Sequence, residues 1–107
     1  MHPVVQQIAL EYKKALQDIY GNDLAQLVLF GSYARGDQHD ESDVDFAVVF
    51  KDPAIRSFPV REKTAPISTE FFLKYGLIIS SLITSLHKKQ TSVQGVYKNI
   101  RKEGIII

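Results

Sequence analysis

The chain has 107 residues, with 13 lysines and arginines against 12 aspartates and glutamates, a formal charge of +1. A charge this near neutrality gives no bulk attraction to nucleic acid or to a membrane surface, and the length suits one domain with one small core. The absence of cysteine excludes disulfide scaffolds, thiolate nucleophiles and zinc knuckles.

No apolar run approaches the ~20 residues that span a bilayer. The N-terminal MHPVVQQIALEYKK also lacks the cationic-then-apolar layout of a secretion signal. The expectation is therefore a soluble, cytoplasmic protein away from membranes, with a single domain over residues 1–107. No repeat of 20 to 50 residues is present.

From Pro3 to Tyr20, the residues Val4, Val5, Ile8, Ala9, Tyr12, Ala15, Leu16 and Ile19 recur at the three-and-four spacing of an amphipathic helix. Pro3 suits its first turn and Gly21-Asn22 its end. LAQLVLF, Leu24 to Phe30, predicts a strand that Gly31 breaks, and VDFAVVF, Val44 to Phe50, predicts a second. After the turn at Lys51 to Pro53, the spacing is helical from about Val60 to Tyr75, with Pro66 expected to kink or split the helix. Gly76 admits a third strand, LIISSLIT, Leu77 to Thr84. A final helix is expected over Ser92 to Lys102, stopped by Gly104, with the terminal III as a short strand or tail. This alternation predicts an α/β (α+β) layer, a small sheet with helices on one face. About a dozen residues separate the first two strands, so either a crossover or an antiparallel return fits.

Between those strands lies GSYARGDQHDESDVD. Side chains alternate along a strand, so Asp43 and Asp45 point the same way with Cα atoms roughly 6.5 Å apart. Val44, Phe46, Val48 and Phe50 would pack on the helices, while Ala47 and Val49 continue the acidic face, expected open to a ligand. Two carboxylates this close repel unless a cation joins them, and oxygen ligands favour magnesium or manganese. The same pair would also serve as solvated residues at a strand start, and the upstream residues bear on that choice. Gly31 and Ser32 stand where a strand ends and a short helix begins, a place where backbone N–H groups donate to an anion. Arg35 would add charge-assisted bonds to it, and Gly36 turns the chain back toward the acids. Magnesium carrying a nucleoside triphosphate needs both halves. A Walker loop is excluded because Asp37-Gln38 stands where Lys-Ser/Thr is required, and an EF-hand because Ser42 holds the glycine position.

GSYARGDQHDESDVDF resembles the G-S-x-x-R-G, then S-D-x-D, signature of the DNA polymerase β-like nucleotidyltransferase superfamily, and the short chain is similar to its minimal nucleotidyltransferase (MNT) branch. YKNIRKEG resembles the tail of small single-domain members. The resemblance implies a mixed sheet backed by helices and transfer of a nucleoside monophosphate from a triphosphate to a hydroxyl. It assigns Gly31 and Ser32 to the triphosphate, Arg35 and Gly36 to support of that loop, and Asp43 and Asp45 to two metal ions, catalytic in an in-line displacement. The family adds a third carboxylate on a later strand. No Asp or Glu occurs here between Phe71 and Lys102, Glu70 lies on the preceding helix, and Ser80 or Ser81 offers only a neutral oxygen.

Two functions follow. One is an enzyme moving AMP from ATP to a hydroxyl of a protein or small molecule, in the manner of antitoxins that pair with a helical HEPN-type toxin. The other is a non-catalytic nucleotide- or partner-binding module. Of the remaining residues, Ser42 is placed to brace the turn and is counted with the nucleotide-binding set. His2, His39 and His87 are too scattered for a metal motif, with His39 nearest the substrate loop. Tyr33 suits either base stacking or core packing. Lys88, Lys89, Lys98, Arg101 and Lys102 form either a solvated helix face or a surface for a phosphate-rich or acidic partner. The apolar LIISSLIT and III leave a sheet edge that invites a second copy or a partner.

Overall fold

The computed structural model describes all 107 residues. Helix α1, Pro3–Tyr20, carries the amphipathic stripe expected of it, burying Val5, Ile8, Ala9, Tyr12 and Leu16. A turn of 3-10 helix leads into β1, Leu24–Phe30, and the single-turn helix α2, Ser32–Arg35, follows Gly31. The chain then returns through β2, Val44–Phe50; α3, Ser57–Tyr75; β3, Ile79–Ser85; α4, Leu86–Thr91; α5, Gly95–Glu103; and β4, Ile105–Ile106.

The sheet order is β3-β2-β1-β4. The direction left open in the sequence is antiparallel for β1 and β2, with Phe30 opposite Asp45. β3 lies parallel to β2, with Asp45 beside Ser80 and Phe46 beside Ser81, as a helical crossover allows. The terminal isoleucines pair antiparallel with β1, Leu29 opposite Ile105. The sheet is therefore mixed, as the resemblance implies.

Strand alternation divides the core in two. Leu27, Leu29, Val44, Phe46, Val48 and Phe50 meet α1 and α3 on one face. There Tyr12 stands edge-on to Phe46 and Phe71, with centroids 5.4 and 5.9 Å away, a favoured quadrupole arrangement. Its hydroxyl shares a 2.9 Å hydrogen bond with Ser81 Oγ. On the other face Val28, Ala47 and Val49 lie under Tyr97 and Ile100 of α5. The expectation that Ala47 and Val49 would stay open to a ligand is thus corrected: both are fully buried, and only the Asp43–Asp45 end of that face reaches solvent.

One helical expectation also changes. Pro66 lies inside an unbroken α3. Its exposed position lets water take the carbonyl that a missing N–H leaves free, so the helix survives. The final helix expected over Ser92 to Lys102 is α5, beginning at Gly95, and the short helix α4, unassigned in the sequence, precedes it. Ser85 Oγ caps α4 by accepting from the Lys88 N–H at 3.1 Å. The Arg101 side chain then donates to the Lys89 and Ser92 carbonyls at 2.7 and 2.8 Å, holding the bend closed. No helix is long and apolar enough to cross a membrane.

Candidate active site

The site forms where β1 and β2 run side by side into their connecting loop. Gly31 adopts φ 76°, ψ −159°, a region essentially restricted to glycine. A side chain there would also run into the Asp45 carboxylate, whose Cγ lies 3.1 Å from the Cβ position. The Gly31 carbonyl accepts the Ala34 and Arg35 N–H groups at 3.1 Å each, which closes α2. The first-turn N–H groups at Ser32 lack intrahelical acceptors by the geometry of any helix start. Gly36, left-handed at φ 82°, ψ 15°, ends the turn, and its N–H and that of Asp37 reach back to the Ser32 carbonyl at 2.8 and 3.1 Å.

Ser42 braces the loop in the way its position suggests. Its Oγ accepts the His39 N–H at 3.0 Å, its own N–H reaches the His39 carbonyl at 3.0 Å, and the Glu41 N–H donates to His39 Nδ1 at 3.2 Å. His39 is thereby a loop brace. The loop delivers Asp43 to the head of β2 and leaves a cleft of about 220 Å³ lined by Asp40, Glu41, Asp43, Phe72, Leu77 and Ile78, among others.

Asp45 is half-buried. Burial pushes its carboxyl above the ordinary carboxylate range, and the neighbouring Asp43 charge pushes the same way. Arg35 opposes them, and Glu103 adds to the rise. This is the unrelieved like-charge pair expected from the spacing, and a cation is what would relieve it. No cluster of three or more His, Cys, Asp or Glu side chains is placed to hold a metal ion. The chain thus offers two carboxylates. That donor set fits a magnesium ion, which commonly takes one or two protein carboxylates and completes its shell with water and substrate phosphates.

The other sequence candidates separate cleanly. Ser80 is exposed and lies beside Asp45 on the same face of the sheet, whereas Ser81 faces the opposite core, where it pairs with Tyr12. Glu70 lies in the groove between α1 and α3 with Glu11, Lys14, Asp18 and Lys74. Tyr33 is a core residue, buried and edge-on to His2 at 5.8 Å, not a platform for a base. Arg101 is consumed by the α4–α5 bend, and Lys89 Nζ donates to Gln26 at 2.6 Å.

One residue at the site has no counterpart among the sequence candidates. Glu103, at the last turn of α5, accepts the Gly31 N–H at 3.3 Å and the Arg35 Nη1 through both oxygens at 3.1 Å. The acid-free stretch in the sequence ends one residue before it. The cue was the Lys-Glu-Gly ending. Gly104 passes so close to Val28 and the Ile100 carbonyl that any Cβ would collide with them, which tucks the helix end against β1.

Residues 10–107 match the nucleotidyltransferase domain family. A Methanocaldococcus jannaschii protein provisionally named a protein adenylyltransferase is 30% identical over 98 residues, covering 91% of each chain. The protein adenylyltransferase MntA of Thermococcus cleftensis is 27% identical, over 96% of this chain and 92% of its own. Among solved structures, the fold is similar to a chain of a toxin-antitoxin crystallised with AMP-PNP, with a TM-score of 0.59, 22% identity, and coverage of 92% of this chain and 70% of that one. It is also similar to a chain of the complex of a tri-AMPylated Shewanella oneidensis HEPN toxin with its MNT antitoxin, with a TM-score of 0.55, 18% identity, and coverage of 95% and 70%. The chain belongs to the nucleotidyltransferase domain family, and the likeness to MntA and to MNT antitoxin complexes agrees with the motif resemblance.

Proposed function

We propose that this protein transfers AMP from magnesium-bound ATP to a hydroxyl of a partner protein, in the cytoplasm, and that the partner is a helical HEPN-type toxin. The observation that carries the reading is the Asp45 carboxylate, half-buried, pressed against the Gly31 backbone and raised in pKa beside Asp43. Such a paired, partly desolvated carboxylate is relieved by a cation. The names of the Thermococcus relative and of the AMPylated toxin complex point to adenylyl transfer onto protein.

On this reading the Ser32 N–H donates to the triphosphate while side-chain-free Gly31, whose own N–H is held by Glu103, lets it approach the backbone, Arg35 donates to one of its oxygens, and Gly36 and Ser42 keep the loop in shape. Asp43 and Asp45 would hold magnesium, which supplies charge neutralisation for the phosphates. The acceptor hydroxyl gives up its proton to solvent as its oxygen attacks the α-phosphorus, the bond to the bridging oxygen of pyrophosphate breaks, and pyrophosphate leaves. Little covalent work falls to the protein; it positions groups and balances charge. Residues 1–107 act as one domain, and the acceptor protein supplies the far wall of the cleft beside Asp43.

A second reading, binding without transfer, is favoured by one observation: the residue facing Asp45 from β3 is Ser80, not an acid. Incubation with α-phosphate-labelled ATP, magnesium and a co-encoded helical protein separates the two. Label on the partner that Asp43→Asn, Asp45→Asn removes supports transfer. Magnesium-dependent heat of ATP binding without any label supports the binding module, and absence of both refutes the nucleotide site.

A further inference from the structure

Arg35 is held from two sides. Its Nε donates to Asp37 Oδ2 at 3.1 Å, and its Nη1 donates to both oxygens of Glu103 at 3.1 Å. The guanidinium is a planar fork of five donors. With two of its nitrogens spent, Nη2 is the corner that makes no hydrogen bond within the chain. The arginine side chain is 45% exposed, whereas Glu103 is 16% exposed. A sheltered carboxylate thus anchors a cation that still faces solvent.

Glu103 is itself fixed by backbone. It closes α5, whose Tyr97 and Ile100 lie on Val28, Ala47 and Val49. Gly104 makes a turn too tight for any side chain, and Ile105 pairs with Leu29 two residues before Gly31. The same carboxylate takes the Gly31 N–H. The C-terminal segment and the loop after β1 therefore share one anchor.

We propose that Glu103 is a positioning residue for nucleotide binding. With Asp37 it clamps the Arg35 guanidinium in one orientation, so that Nη2 is presented to a triphosphate oxygen before the nucleotide arrives. The proposal rests on the nucleotidyl-transfer reading. Its physical content is preorganisation. A free arginine loses rotamer entropy when it binds phosphate, and a clamped one has lost it already on folding. Sparing the immobilisation of one such rotamer-rich side chain is worth about 2- to 13-fold in affinity.

The test is calorimetric titration of the full chain with magnesium-ATP, for wild type, Glu103→Gln, Arg35→Ala and the double variant, with thermal unfolding beside each. Glu103→Gln is expected to bind about 2- to 13-fold more weakly, and Glu103→Asp, which keeps the charge, to recover part of the loss. Because Glu103 acts through Arg35, the double variant should bind like Arg35→Ala alone. A purely structural glutamate would give additive losses that track unfolding temperature. Unchanged binding in Glu103→Gln, additive losses, or tighter binding, which would make Glu103 a competitor of phosphate, each overturns the proposal. Should Glu103→Gln fail to fold, Asp37→Asn probes the other arm of the clamp from an exposed position, with the same non-additivity expected. Wild type that binds no magnesium-ATP overturns both this and the functional reading, whereas wild-type binding with an unaffected Glu103→Gln overturns this one alone.

Discussion

Gly31→Ala probes the central contact of the site directly. The Gly31 backbone, at φ 76° and ψ −159°, lies in a region that costs a side-chain-bearing residue about 1 to 3 kcal/mol. The new Cβ would also collide with Asp45 Oδ2, and displacing a half-buried, packed group adds about 1 to 3 kcal/mol. Together a loss of roughly 3 kcal/mol is expected, a fall in unfolding temperature of roughly 12 to 24 °C for a domain of this size. Gly36→Ala serves as the control. It also has positive φ, at 82°, but nothing stands within 4 Å of its Cβ position, so only about 1 to 2 kcal/mol of left-handed strain is expected. Thermal unfolding of both variants, repeated in an Asp45→Ala background, separates strain from collision. With Asp45 truncated, the Gly31→Ala penalty should shrink to its strain component. A penalty that stays the same in that background, or a Gly31→Ala protein as stable as wild type, would refute the geometry on which the site is built.

Asp45→Asn should stabilise the protein without ligand near neutral pH while abolishing magnesium-dependent ATP binding. The Asp45 pKa is raised in the fold, by burial first and Asp43 second. Its favourable contribution is therefore complete below the unfolded carboxyl pKa and is lost as pH rises through the folded value. The gap in unfolding temperature between variant and wild type should be larger at pH 7 than at pH 4, and a pH-independent gap would contradict the assignment. Gly104→Ala places a Cβ against the Ile100 carbonyl and Val28 and is expected to cost about 1 to 3 kcal/mol in denaturant unfolding. It should weaken ATP binding as well, because Glu103 moves with it. Tyr12→Phe deletes the hydroxyl bonded to Ser81 and should cost about 1 kcal/mol by the same measurement, with ATP binding unchanged because Ser81 faces the core opposite Asp45.

Local pattern carried a large part of the structure. The 3.6-residue stripe of α1 and the apolar runs of β1 and β2 are visible in the sequence because each buries one side of itself, whatever it packs against. Gly31, Gly36 and the Asp43–Asp45 spacing were legible for a related reason. A positive φ demands glycine, and strand alternation puts residues two apart on one face. Pro66 was misread as a break because the sequence does not say which side of α3 faces water. The short helix α4 went unread because it spans only six residues and its bend into α5 depends on Arg101 meeting carbonyls nine and twelve residues away.

What the sequence determined by itself is the residue set at one end of the sheet: which short stretch carries the glycine turn and the paired acids, with the direction of the strands that bring them close left to the fold. Only the tertiary structure decided that α5 seals the inner part of the acidic face, that Ser80 and not Ser81 looks toward Asp45, and that Glu103 belongs with Gly31 and Arg35. Those facts join residues about 35 to 70 positions apart. Periodicity and spacing report interactions within one element. A carboxylate delivered by the far end of the chain is placed by the packing of α5 and the pairing of β4, which arise only once the whole sheet has formed.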